Sequence, residues 1–332
     1  MTTARLLFRI HRFESLAVAA GALLLAVAGL YVASRLNGAA VETGCVQQWF
    51  DSGPVAASPA CEESRQAFNS INEYEAGKVM AGMAVLPFVA GLLLGVPLVA
   101  REVEQRTATL AWSLQSSRVR WLLKRALIAA AMLAAVLTIP AGAAEVLEPT
   151  RHPWLDPSTT AFSDYGLRGP LTVFRGLAAF SIGVLVGAAV GRVLPALIVA
   201  AVGTVLLFQV LAAAQWAFLP EPELLPVTET QVAGRGGLQT GDGIQYRDRA
   251  GATLTWDEII ARAPFPYYDE ELEDVDPRFS AWFDSAGYEE YEWFIRGERL
   301  GVVAVREAAG LSVLSTVLLG MSLVVVRGRR PY

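Results

Sequence analysis

REVEQRTATLAWSLQSSRVRWLLKRAL, from Arg101 to Leu127, is a charged segment set between two long apolar runs. Val79 to Ala100 leads into it with 22 uncharged residues, and Ala126 to Ala144 leaves it with 19 more. Each run is near the length of about 20 that crosses hydrocarbon. Between them Arg101, Arg106, Arg118, Arg120, Lys124 and Arg125 outnumber Glu102 and Glu104. A short loop with that excess stays on the cytoplasmic side. Read as a helix, it places Val103, Thr107, Leu110 and Leu114 on one face and makes Glu102 and Arg106 an i, i+4 pair. Ser116 and Ser117 offer an N-cap for a second helix, which brings Trp121 and Lys124 to the interface. The segment is either a solvated connector or a handle that docks on a partner.

Its residues resemble the loop between the second and third spans of bacterial ABC-2-type transporter permeases. That family's pattern is roughly Arg-Glu-x-Glu-x-Gly-Thr-x-x-x-x-Trp, followed by a Ser-Arg pair, a Trp and a Lys. The chain matches at Arg101, Glu102, Glu104, Thr107, Trp112, Ser117, Arg118, Trp121 and Lys124, and carries Arg106 where Gly is usual. The departure suggests a looser backbone turn here than in relatives. The resemblance implies a coupling loop over residues 101–125 that sits on a separate ABC ATPase subunit through Arg101, Glu102, Glu104, Arg106, Thr107 and Arg118. It also implies a second permease copy, identical or paralogous, with ATP and Mg²⁺ held by the partner and no cofactor in this chain.

Composition bounds the class independently. Of 332 residues 54% are hydrophobic and 18% charged, too few charges to clothe a soluble globule of this size. Six spans are predicted, over residues 16–34, 79–100, 126–144, 171–191, 193–219 and 308–326. The expected fold is an all-α polytopic membrane protein with an interfacial helix over residues 1–15 and a tail over 327–332. Arg5, Arg9 and Arg12 on one stripe beside Leu6, Ile10 and Phe13 support the interfacial helix. A signal peptide fits less well, because Leu16 to Ser34 is longer than the usual apolar core of one. Gly176 to Leu219 holds 44 residues with Arg192 as its one charge, about 66 Å of helix. It must fold back, best at Gly191-Arg192-Val193-Leu194-Pro195. Gly91 with Gly95, and Gly183 with Gly187 and Gly191, give small-residue steps for close helix packing. Pro87 and Pro97 are expected to bend the second span. The Gly-rich fourth span, its Arg and the following Leu-Pro-Ala again resemble the permease family.

Arg35 to Lys78 reads as a polar outer loop with the two cysteines, Cys45 and Cys61, which form a disulfide if that side is oxidising. Glu145 to Arg175 is a second outer loop, in which Glu148, His152, Asp156 and Asp164 give only a faint hint of metal or hydrolysis. Residues 220–307 carry 19 acids against 8 arginines and read as an exofacial α+β insertion. Its acidic run Asp269 to Asp276 lacks the glycine punctuation of a calcium loop, so no metal site is expected. Its aromatics either cover a transport exit or build a core. Over short segments the inner side carries 13 basic residues and the outer 6, which puts both termini in the cytoplasm of a bacterial cell membrane, in contact with its lipids.

No phosphate loop, HExxH or dinucleotide fingerprint is present, and no nucleic-acid signature. Absence of mid-span ionisable groups argues against a proton-coupled carrier. The expected function is a permease, not an enzyme, exporting a lipophilic small molecule or lipid with energy from its partner. A membrane-anchored sensory or assembly protein acting through the insertion is the alternative.

Overall fold

The computed structural model describes residues 12–39, 59–107, 117–153, 162, 165–213, 221–227, 238–240, 244–269 and 274–329. Among these, six helices are long and apolar enough to cross a membrane. The first is α1 (Arg12–Gly38). The second is a 46-residue rod, Pro59–Glu104. It is built from α2 (Pro59–Ser70), a π-helical turn (Ile71–Ala76), α3 (Gly77–Gly95) and α4 (Pro97–Glu104). Then come α5 (Arg118–Arg151), α6 (Leu171–Val190) and α7 (Val193–Ala213), and finally α10 (Leu300–Gly328). The interfacial helix expected over 1–15 lies outside the described residues up to position 11, and Arg12 to Glu14 continue straight into α1.

The rod corrects the reading of Arg35 to Lys78 as loop. Polar residues at 59–78 are helical because a helix that leaves hydrocarbon needs no apolar face to keep its own backbone bonds. Pro87 lies inside α3, whereas Pro97, which has no N–H, opens α4 after the break at Val96.

Ion pairs fix the alternation of the helices. Glu14 at the start of α1 meets Arg101 at the end of the rod at 2.9 Å, and Arg35 at the end of α1 meets Glu75 in the π-helical turn. The core follows from that antiparallel arrangement. Leu94 and Leu98 of the rod, Leu133 and Leu137 of α5 and Phe180 of α6 form one buried cluster.

The chain divides into two compact units, the second comprising residues 155–163 and 219–302. Taken by itself, that unit has an antiparallel sheet of order β1-β7-β3-β4, with β2 also on β7. The strands are β1 (Glu223–Pro226), β2 (Leu238–Gln239), β3 (Gln245–Arg247), β4 (Thr253–Leu254) and β7 (Glu289–Ile295). A separate two-stranded ladder joins β5 (Tyr268–Asp269) to β6 (Asp274–Val275). Registers Gln245 opposite Tyr291 and Tyr246 opposite Leu254 place Tyr246 and Leu254 on one face. With Ile259 of α8 (Trp256–Arg262) and Phe279 of α9 (Pro277–Ala286) they form the buried core. The aromatics Trp256, Trp282, Phe283 and Tyr288 interlock around Phe279 and Tyr246 and build this unit's interior, while Tyr267 lies against Phe279 from the exposed side. Thr255 and Glu258 cap α8 reciprocally. Of the acidic run, residues 270–273 lie outside the described residues. Asp276 is the N-cap of α9, and its hydrogen bond from Arg278 holds its carboxyl below the usual carboxylate range.

Candidate coupling handle

The handle begins in the last turn of α4. The N–H of Thr107 bonds the carbonyl of Glu102 at 3.0 Å and the N–H of Arg106 bonds that of Val103 at 3.2 Å. This pair of bonds is the Schellman closure of a helix, in which the residue after the cap is left-handed. That residue is Arg106, at φ +55°. The expectation of a looser turn than in Gly-bearing relatives is therefore corrected: the tight turn forms with an arginine in it. The continuous helical face through Leu110 and Leu114 is corrected at its start, since α4 ends at Glu104; Leu110, Leu114, Trp112 and Ser116 lie outside the described residues. On the far limb the hydroxyl of Ser117 accepts from the N–H of Arg120 at 3.1 Å and caps α5.

Glu102 and Glu104 are both held within the chain. Glu102 pairs with Arg125, one helix away, instead of Arg106. Its side chain is 13% exposed and that of Arg125 11%, so this is a buried pair. The guanidinium of Arg125 also lies 4.5 Å from the ring centroid of buried Trp121. Removing Glu102 alone would therefore leave the Arg125 charge without this partner in a largely buried place. Glu104 accepts from the N–H of Val193 at 2.9 Å and so caps the first turn of α7. Arg101 holds Glu14, and Arg118 donates to the backbone carbonyl of Arg329 at 2.6 Å. Thr107 points its hydroxyl at the Glu102 carbonyl, 3.4 Å away. The six expected handle residues are thus brought to one end of the bundle, knitted to α1, α5, α7 and the tail.

The small-residue steps meet one another. A Cβ on Gly91 would stand 2.5 Å from the Gly176 carbonyl, and one on Gly95 2.4 Å from that of Phe180. From the other helix, a Cβ on Gly187 would stand 2.5 Å from the Val96 carbonyl, and one on Gly183 3.1 Å from the Val96 nitrogen. α3 and α6 therefore touch backbone to backbone just before the handle starts. Gly191 departs from this stripe: at φ +72° it is the left-handed cap of α6, and a Cβ there would meet the Arg329 guanidinium at 2.2 Å. It makes the turn rather than the packing.

The opposite end of the same unit is tied by polar contacts of its own. Asn72 in the π-helical turn exchanges hydrogen bonds with Arg151, which also holds fully buried Glu148 at 3.2 Å. His152 lies 3.9 Å from Glu148. Arg168 pairs with Glu145 at 3.1 Å, and Arg175, inside α6, binds Glu307, inside α10, at 2.8 Å. Burial beside Glu307 pushes the Tyr165 phenol up. Arg175 lies one turn inside α6, within the span expected over 171–191, whereas Glu307 lies inside α10, which starts at Leu300 rather than at 308. Cys61 is buried on α2 and no cysteine among the described residues is free; Cys45 lies outside them. Among the described residues no group of three or more His, Cys, Asp or Glu could hold a metal.

Arg125, Arg329 and Glu14 were missed by sequence reasoning. Their one signal is position, as charges bordering apolar runs whose partners come from elsewhere in the chain. Residues 15–216, more than half the chain, match the family model described as ABC-2 membrane transporter related. The chain belongs to that family. It is accordingly a multi-pass membrane subunit of an ABC transporter, and membership implies association with a separate ABC ATPase subunit. No curated protein and no solved structure matches it. The ABC-2 match covers the handle, the glycine contact and the α6–α7 turn, and stops short of the insertion and α10.

Proposed function

We propose that the chain is the permease half of an exporter for a lipophilic small molecule or lipid, driven through residues 101–125 by a partner ATPase that holds the ATP and Mg²⁺. The supporting observation is that this handle is joined by directional polar contacts to α1, α5, α7 and the tail. A push on it reaches several spans at once, as a mere connector's would not. In this reading the handle and both termini are cytoplasmic, the insertion is outside, a second permease copy completes the path, and Cys45 bridges Cys61 in an oxidising compartment.

The test is affinity purification of the tagged chain from its native membrane in mild detergent. An ABC ATPase should copurify in stoichiometric amount, and Lys124→Glu, at an exposed handle position, should weaken that association about tenfold, as expected for a charge turned against its partner. No ATPase in the purified material would favour a sensory or assembly protein working through the insertion.

A further inference from the structure

Every helix end leaves backbone groups without an intrahelical partner, and the turn between α6 and α7 shows who supplies them. On the C-terminal side, α6 stops at Val190 with Gly191 left-handed, and the Ala188 carbonyl accepts from the guanidinium of Arg329. A cation at that negative end of the helix is favourably placed. On the N-terminal side, the Val193 N–H is taken by Glu104 of the handle. An anion is the matching choice there. The circuit then closes, because Arg118, at the handle's other limb, donates to the backbone carbonyl of Arg329 at 2.6 Å. Gly191 completes the fit, since any Cβ at that position would occupy the space of the Arg329 guanidinium.

We infer that Arg329 is a positioning residue: it clasps the α6–α7 turn to the handle so that the two limbs of the handle and this turn move as one body. The inference rests on the handle being the element the ATPase moves, and it adds where the motion goes. α7 turns most of its apolar length outward, 17% of it being buried against 67% for the second span, and its buried apolar residues Ala196 and Ala200 pack with Val96, Ala100 and Ile182. The polar contacts at its first turn add direction to that packing, and through them handle motion enters α7. Without Arg329 the handle would still bind its partner, while α7 would follow it less.

The experiment uses the full chain with its copurified ATPase in nanodiscs, with spin labels in pairs at exposed positions 124, 194 and 24. In nucleotide-free parent protein the 124–194 distance should be narrowly distributed. Arg329→Ala should at least double its width, Arg329→Lys should recover most of the narrowness, and Gly191→Ala should reproduce the broadening with Arg329 intact. Adding a non-hydrolysable ATP analogue should displace 124 and 194 together relative to 24 in the parent. In Arg329→Ala the displacement at 194 should fall below half while that at 124 persists, a split that a merely destabilised protein would not give. An unchanged 124–194 width in both Arg329→Ala and Gly191→Ala overturns the clasp. A parent in which nucleotide moves neither label overturns the coupling reading instead, and the widths still decide the clasp.

Discussion

The second and fourth spans meet through bare backbone, whereas the fifth and sixth turn most of their surface outward. Of the most apolar stretch of each span, 67% and 56% is buried in the first two and 17% in each of the others. The contrast shows in what a methyl group would meet: Gly95 and Gly187 face carbonyl oxygens across the contact, while Gly203 of α7 and Gly320 of α10 have nothing within 4 Å. In a bilayer, lipid tails compete equally for apolar side chains, so close approach of small residues supplies association. The inner pair has that approach. The outer spans are instead held at their ends, α7 by Glu104 and α10 by Arg175 at one end and Arg329 at the other. Packing defines a stiff centre, and directional polar contacts hinge the periphery to it.

The comparison is broken most directly by adding bulk at equivalent glycines. Gly95→Leu is expected to prevent the inner pair from forming, and Gly95→Ala to cost about 3 kcal/mol, since backbone cannot step aside for the new Cβ. Gly203→Ala and Gly320→Ala should instead be neutral or gain up to about 1 kcal/mol of helix propensity. Reversible unfolding in SDS and mild detergent mixtures reads all four; equal costs at inner and outer sites would erase the distinction.

Glu102 tests whether the handle is part of the stiff centre. Removing one member of its buried pair by Glu102→Gln should cost about 2–3 kcal/mol, little altered by salt, because Arg125 is left charged among apolar neighbours. Glu102→Met with Arg125→Met should restore most of the loss. A single variant as stable as the parent would make the pair a surface contact.

Much of this arrangement was legible in the residues. Apolar runs bounded by charge located six helices, and Gly191-Arg192 marked the reversal between α6 and α7, because hydropathy and helix punctuation are local signals. The helical continuation over 59–78 was not legible, since a polar helix standing on a span has the composition of a loop. Nor was the pairing of Glu102, for which Arg106 at i+4 and Arg125 at i+23 look equally good until α4 and α5 are laid side by side. The glycine steps could be seen as packing sites on each helix, but sequence could not say that they face one another.

Glu307 sharpens the outer half of the comparison. Its pairing with Arg175 binds α10 to α6, and both side chains are about a fifth exposed. Glu307→Gln should cost about 1–2 kcal/mol, discounted from a fully buried pair. The loss should appear as faster hydrogen exchange in residues 303–312, with that of residues 176–187 unchanged. Equal acceleration in both stretches would mean that α10 is packed into the centre after all.

The smallest expected effect concerns the handle's own backbone and runs in the opposite direction. Arg106 sits at φ +55°, in the position that closes α4, where the bonds from Thr107 and Arg106 back to Glu102 and Val103 require a left-handed residue. An L side chain there crowds its following carbonyl, at a cost of about 1–2 kcal/mol, which glycine avoids. Glycine also gives the unfolded chain more freedom, which returns part of that gain. Arg106→Gly is therefore expected to stabilise the protein by about 0.5–1 kcal/mol. Because the substitution also removes an exposed charged side chain, Arg106→Ala is the reference: it deletes the same side chain and keeps the strain. Stability should rise in the order alanine, then glycine, by about 1 kcal/mol between them. If alanine and glycine prove equal, the turn at 106 carries no strain, and the handle is free to leave this conformation without penalty. If glycine alone is more stable yet weakens partner binding, the strained arginine serves the docked state, at a modest cost to the resting fold.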